Sequence, residues 1–264
     1  MSTIQAIIIA IIEGITEFLP ISSTGHMAIT SAFMKINTDP FTKLFEIVIQ
    51  FGAILSVVAL YWKKFIDFRR FSFYIKLVIA IIPALVVGAL LKSHIDEMLE
   101  KPLIIALVML LGGVLLLFVD RWFKNPVVMK EEDISNKQAL AIGGYQVLAI
   151  VFPGLSRSAA TIIGGMQQKL SRSVAAEFSF FLAVPTMLAA TVKSLWDVYK
   201  DSPEVMSSDN LNILILGCIV AFVVAIISIK FLIRFLQQNG FRMFGIYRIV
   251  LGVILLALIG MGKL

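Results

Sequence analysis

Charge is what this chain has least of. Asp, Glu, Lys and Arg make up 15% of its 264 residues, and 59% are hydrophobic. A water-soluble domain carries about 25% charged residues. With a mean hydropathy of +0.95, the chain reads as an all-α polytopic membrane protein. Cysteine is nearly absent too. The single Cys218 lies in an apolar run, which rules out an internal disulfide and leaves a small core residue. Residues 1–12 hold no Lys or Arg, so no signal peptide is expected there. The pI near 9.4 does not point to nucleic acid. Its Lys and Arg residues collect between apolar runs, which suits membrane topology and lipid headgroups.

The apolar runs fall into two similar halves. Residues 4–19 are apolar but end in carboxylates and a proline. About sixteen helical residues reach only about 24 Å, short of the roughly 30 Å hydrocarbon core. A shorter piece, 24–34, follows, and the pair predicts a re-entrant helical hairpin. Full spans are expected at about 45–62, 74–91 and 103–119. The second half repeats the order: short pieces at about 138–152 and up to 168 around a Pro-Gly break, then spans at about 176–193, 211–230 and 244–261. The expectation is one membrane domain, 1–264, with six transmembrane helices and two re-entrant hairpins. Repeat one covers about 1–120 and repeat two about 137–264. Pro20 matches Pro153, Ser23 matches Ser156 and Glu13 matches Gln146. Interrupted segments at corresponding places in two halves point to a site near the bilayer midplane.

Loop charge orients the repeats. Lys63, Lys64, Arg69, Arg70 and Lys76 share one loop; Arg121, Lys124, Lys130 and Lys137 another; Lys230, Arg234 and Arg242 a third. The alternate loops, 35–44, 92–102 and 194–210, are poorer in both. By the positive-inside rule the rich loops are cytoplasmic. The hairpins then enter from opposite faces as an inverted repeat, with both termini outside.

Residues 13–26 do not belong in such a background. Glu13, Glu17, Ser22, Ser23, Thr24 and His26 stand within fourteen residues, and a polar cluster at membrane depth marks function. Glu13 and Glu17, four apart, share a helix face. Two carboxylates that close, away from water, need a proton or a cation between them. Pro20 ends the helix, and Ser22-Ser23-Thr24-Gly25 opens a second one whose free N–H groups suit phosphate. The second break, Pro153-Gly154-Leu155-Ser156-Arg157-Ser158-Ala159-Ala160-Thr161, adds hydroxyls on Ser156, Ser158 and Thr161. Gly154 permits close backbone approach. The Arg157 guanidinium suits phosphate and needs an anionic partner at that depth.

Together the halves read as a phosphoryl-transfer site. Ser23 or a water attacks phosphorus, with His26 as base or acid. A divalent cation, Mg²⁺ or Ca²⁺, on Glu13 and Glu17 neutralises phosphate charge, and Arg157 steadies the transition state. A transporter or flippase of polyprenyl phosphate is the rival reading, since inverted repeats with broken helices are common in transporters. Around the site, Glu46 and Gln50 either support the metal or pin helices together. Glu177 reads as structural and His94 as a loop histidine. Tyr247 and Arg248 read as an interfacial anchor opening the last span, and Gly112-Gly113 and Gly164-Gly165 as close helix approaches.

The stretches EGITEFLPISSTGH and PGLSRSAAT resemble the two signature regions of bacterial undecaprenyl-pyrophosphate phosphatases of the bacitracin-resistance type. Length and span order fit as well, so the resemblance covers essentially the whole chain. Ala159 stands where many members are expected to have glycine. The resemblance implies an integral enzyme of the bacterial cytoplasmic membrane. It would hydrolyse undecaprenyl pyrophosphate to undecaprenyl phosphate and inorganic phosphate, recycling the lipid carrier for wall polymers. It also implies a divalent-metal requirement, a site open towards the outer face, and bacitracin resistance, because that drug sequesters the pyrophosphate. The essential residues of the family fall on Glu13, Glu17, Ser23, His26 and Arg157. Its phosphate contacts fall on Ser22, Thr24, Ser156, Ser158 and Thr161, with Gly25 and Gly154 beside them. The expected partners are the lipid substrate and the bilayer, not nucleic acid; a homodimer is left open.

Overall fold

The structure is a computed structural model and describes residues 1–67, 70–91, 97–98 and 101–262. Among the described residues ten helices of eleven residues or more carry the fold, five in each half. The first half contains α1 (Thr3–Thr16), α2 (Ser23–Phe33), α3 (Pro40–Leu60), α4 (Phe71–Leu90) and α5 (Pro102–Trp122). The second contains α6 (Asn136–Val151), α7 (Arg157–Gln167), α8 (Arg172–Asp201), α9 (Ser208–Asn239) and α10 (Arg242–Gly260). Six of these, α3 to α5 and α8 to α10, are long and apolar enough to cross a membrane. The chain is a multi-pass membrane protein. Helices α8 and α9 run past the apolar stretches seen in the sequence. Polar N-caps at Ser171 and Ser207 start them early, with each hydroxyl accepting a first-turn N–H. His94, Lys92, Asp96 and Arg69 lie outside the described residues.

The halves match in local detail. Ser2 caps α1 and Ser135 caps α6, each in a capping box closed by a glutamine, Gln5 and Gln138. Both short helices that follow begin on a serine with positive φ, Ser22 at 72° and Ser156 at 77°. Both end beside a lysine in the left-handed region, Lys35 at 56° and Lys169 at 63°. Glu13, Pro20, Gln146 and Pro153 keep one common interval along the chain. From the caps onward that interval grows by one residue, because the second break is one residue longer. This corrects the sequence register: the counterpart of Ser156 is Ser22, not Ser23. Ser23 instead stands opposite Arg157, each the first residue of its helix.

Packing follows the same symmetry. Helix α3 packs on its counterpart α8 and α5 on its counterpart α10. The first-hairpin helix α1 lies on α9, and its counterpart α6 lies on α4. Exchanging the halves maps these four contacts onto one another, as a pseudo-two-fold axis would. The core along it is aromatic: Phe18, inside the first break, meets Phe180 of α8 edge-on at 5.1 Å. Outward faces carry apolar rows such as Ile215, Ile219, Val223 and Ile227 on α9, suited to lipid.

The basic loops gather at one end of the bundle. Lys64 pairs with Glu131 and, at 3.0 Å, with Glu177; Arg70 pairs with Glu131 at 2.8 Å and Glu132 at 3.0 Å. Burial works against the Glu131 charge, but hydrogen bonds from Glu177, Lys64 and Arg70 outweigh it and hold its pKa near about 2. Asp120, at the end of α5, accepts the Phe241 N–H at 2.7 Å and pairs with Arg172 at 2.6 Å. Glu177 is thus a structural staple, as its position in the sequence suggested.

Candidate active site

The two breaks meet, and Glu17 is where they join. It is the C-cap of α1, 6% exposed. Ser23 Oγ donates to Glu17 Oε2 at 2.5 Å, and Arg157 Nη2 donates to Glu17 Oε1 at 2.5 Å. Ser23 and Arg157 open α2 and α7, so two helix N-termini converge on one carboxylate. A carboxylate there mimics the anion that such termini bind. A guanidinium paired with a carboxylate in this setting makes a charge-assisted contact, stronger than a neutral one. Arg157 keeps a buried Nε donor without a partner and reaches the Ser179 carbonyl through Nη1 at 3.4 Å.

Glu13 lies one turn back on α1, fully buried, and neither of its carboxyl oxygens has a hydrogen-bond partner. The charged groups that face it are Glu17, Arg157 and Glu46. Glu13 and Glu17 therefore place hard oxygen donors with unused lone pairs side by side, which fits a divalent cation. Among the described residues no third His, Cys, Asp or Glu completes a cage around them. Such a pair suits an ion whose other ligands are phosphate oxygens and water. In the second half the corresponding residue is Gln146, also fully buried, whose Oε1 takes a long hydrogen bond from Thr186 at 3.4 Å.

His26 is placed differently from the sequence expectation. Its Nδ1 lies 2.7 Å from the Ser22 carbonyl and its Nε2 2.7 Å from the Tyr247 hydroxyl. A carbonyl only accepts, so Nδ1 carries the proton and Nε2 accepts from Tyr247. Ser23 turns the other way, to Glu17. As the N-cap carbonyl of α2, the Ser22 C=O lies over the first turn and also accepts the His26 N–H at 3.2 Å, so the ring of the same residue closes onto it. The group in contact with Ser23 is therefore the Glu17 carboxylate, with His26 turned towards Tyr247.

The remaining hydroxyls divide between cap and stitch. Ser22 Oγ accepts from the Gly25 N–H at 3.3 Å and Ser156 Oγ from the Ala159 N–H at 3.2 Å. Ser158 Oγ donates to the Leu19 carbonyl at 2.9 Å, tying the second hairpin to the first. Thr161 lies between the Arg157 carbonyl and Ser179 of α8. Thr24 is partly exposed beside them. Gly25 packs on α5, where a Cβ would come within 2.7 Å of Met109 Sδ. Gly154 has φ of +95° and sits against the Ile105 carbonyl, so both its conformation and the space exclude a side chain.

The last helix contributes two groups that the sequence reading set at the membrane surface. Tyr247 is 44% exposed, yet its hydroxyl holds His26 and its ring stacks parallel to the imidazole at 5.7 Å. Arg248 is 0% exposed and is no interfacial anchor. Nε donates to the Met109 carbonyl at 3.1 Å, Nη1 to those of Leu155 at 2.7 Å and Pro20 at 3.3 Å, and Nη2 to those of Gly154 at 2.8 Å and Val108 at 3.4 Å. The signal was present: α10 starts at Arg242, which sets Arg248 nearly two turns inside it. The rule that led to Arg157, that a buried arginine needs partners, applies here equally. Gly112 makes room for this side chain, since a Cβ there would fall 2.3 Å from Nη2. Gly164 and Gly165 similarly let Tyr145 and Ala175 approach.

Known proteins match the chain over nearly its whole length. The family model described as bacitracin resistance protein BacA matches residues 6–254. An undecaprenyl-diphosphatase from Flavobacterium johnsoniae is 58% identical over 257 residues, covering 97% of this chain and 96% of that one. Those of Porphyromonas gingivalis strain W83 and Bdellovibrio bacteriovorus are each 47% identical, the first covering 98% of this chain and 97% of its own, the second 99% and 98%. Matched almost from end to end, the chain belongs to the BacA family of bacitracin resistance proteins.

Proposed function

We propose that this protein is a membrane phosphatase that hydrolyses undecaprenyl pyrophosphate to undecaprenyl phosphate and inorganic phosphate, recycling the lipid carrier of wall synthesis and conferring bacitracin resistance. One observation carries the reading. A serine at one helix N-terminus donates to a carboxylate whose other oxygen is held by an arginine at a second helix N-terminus.

In this reading the terminal phosphate enters beside Glu17, between Arg157 and the two helix starts, and the Ser23–Glu17 contact is kept. Ser23 Oγ bonds to the terminal phosphorus as its proton passes to Glu17. The bond from that phosphorus to the bridging oxygen breaks, and the electron pair leaves on the lipid phosphate. Water then adds to the phosphoserine, Glu17 returns its proton to Ser23 Oγ, and His26 takes the remaining proton through Nε2 once Tyr247 turns away. Arg157 steadies the charge on the transferring phosphoryl oxygens. A divalent cation held by Glu13 and Glu17 would supply Lewis-acid neutralisation of the diphosphate.

The short hairpin helices support re-entrant insertion. At 14 and 11 residues, α1 and α2 each fall short of a bilayer core. The basic loops at one end support a cytoplasmic-membrane topology with that end inside and the site opening outward. The test is phosphate release from a polyprenyl diphosphate by purified protein. Release with Mg²⁺ or Ca²⁺, lost on chelation and in Ser23→Ala, is expected. Lipid movement across vesicles without phosphate release would favour the flippase instead, which the pseudo-two-fold packing also suits.

A further inference from the structure

Arg248 plays no part in the chemistry above, yet it is the most completely bonded side chain near the site. A guanidinium has five N–H donors, and here five backbone carbonyls receive them. Three belong to the two breaks: Pro20 in the first, Gly154 and Leu155 in the second. No carboxylate pairs with Arg248 among the described residues. Burying an unpaired cation is strongly unfavourable unless its donors are all satisfied. Its charge is solvated by carbonyl dipoles alone, directly behind two helix N-termini, and is felt at His26.

The direction of those carbonyls has a consequence. In a planar trans peptide the N–H points opposite to the C=O. Drawing the Leu155 carbonyl onto Nη1 at 2.7 Å therefore turns the Ser156 N–H away from Arg248, towards the start of α7. Ser156 has positive φ, and its N–H has no acceptor within the described residues. The Ser156 N–H stands just ahead of the first-turn N–H groups of α7, the part of a helix where an anion binds. A non-glycine residue is strained in that conformation, so the surrounding contacts must hold the serine there.

We propose that Arg248 is a positioning residue of the phosphate site. It pulls the carbonyls of both breaks back onto one guanidinium, fixes their mutual register and aims the Ser156 amide at the substrate's phosphate. This rests on the diphosphate reading above. Three variants test it: Arg248→Lys, which keeps the charge but offers three donors; Arg248→Met, which removes both; and Gly112→Ala, which displaces the guanidinium tip and leaves its charge. Each is assayed for kcat and KM on a polyprenyl diphosphate, for inhibition by vanadate and for thermal unfolding.

Arg248→Lys is expected to lose about 10–100-fold in kcat, the range of groups that orient a site from behind, with KM moving less than about threefold. The vanadate inhibition constant should rise in step, as for a group that shapes the transition-state contacts. Gly112→Ala should show the same pattern, weaker, and decides the matter if the arginine variants fail to fold. A merely structural role lowers the unfolding temperature and the active fraction but leaves the vanadate constant alone. That outcome, or wild-type kcat in both Arg248→Lys and Gly112→Ala, overturns the positioning role while the phosphatase reading stands. Wild-type protein that releases no phosphate overturns both.

Discussion

The first residues of α2 and α7 occupy the same place in two copies of one fold, and they could hardly differ more. One is Ser23, the other Arg157, and both reach the same carboxylate, Glu17. Around them the backbones agree: a serine cap with positive φ before, a left-handed lysine after, a proline break ahead. The scaffold has been kept twice and the chemistry divided. The first hairpin holds two carboxylates, a serine hydroxyl and an imidazole; the second holds the guanidinium and, at the Glu13 position, the neutral Gln146. A diphosphate needs both signs of charge at once, and convergent helix starts allow each half to supply one.

Eight substitutions, taken in five steps, probe that division, in order of expected effect. Removing any of the three partners, Glu17→Ala, Ser23→Ala or Arg157→Ala, should cut phosphate release by about 10³-fold or more, with the fold retained by circular dichroism. Near-normal release in one would strike that residue from the division of roles. Next, Arg157→Lys keeps the charge of the second half but loses the planar fork, and should cost about 10–100-fold in kcat.

Glu13→Gln makes the first hairpin copy the second. The metal concentration for half-maximal rate should rise about tenfold or more, with activity partly recovered at high metal. An unshifted metal titration would take Glu13 out of that site. Ser158→Ala cuts the stitch from the second hairpin to the Leu19 carbonyl, and should lower stability by about 1 kcal/mol in thermal unfolding. Smallest of all, Lys35→Gly or Lys169→Gly relieves a left-handed side chain and should gain about 0.5 kcal/mol. A difference between the two lysines would show that the halves are strained unequally.

Much of this was legible in advance, for reasons that can be named. Six spans stand out because apolar runs of about 18 residues have few other uses. The two breaks stand out because Pro20 and Pro153 interrupt short apolar runs. Glu13, Glu17, Ser23 and Arg157 were conspicuous because polar groups at membrane depth are expensive. His26 was found as a residue but not in its contact, since spacing along a helix does not say which way a ring turns. The serine register slipped by one because the extra residue of the second break is visible only in the caps. Tyr247 and Arg248 were misplaced because they stand near the start of an apolar run, where interfacial anchors are common.

The sequence by itself determined the class of the protein, the doubled order of its helices and the residue types of its chemistry. All of these depend on local composition and on interruptions within one stretch of chain. Only the tertiary structure decided who meets whom. Glu17 takes Ser23 and Arg157 on its two oxygens, His26 is given to Tyr247, and Arg248 closes over both breaks. Those contacts join residues far apart along the chain, and their direction is set by the backbone geometry of two short breaks and by helix packing, which no window of sequence contains.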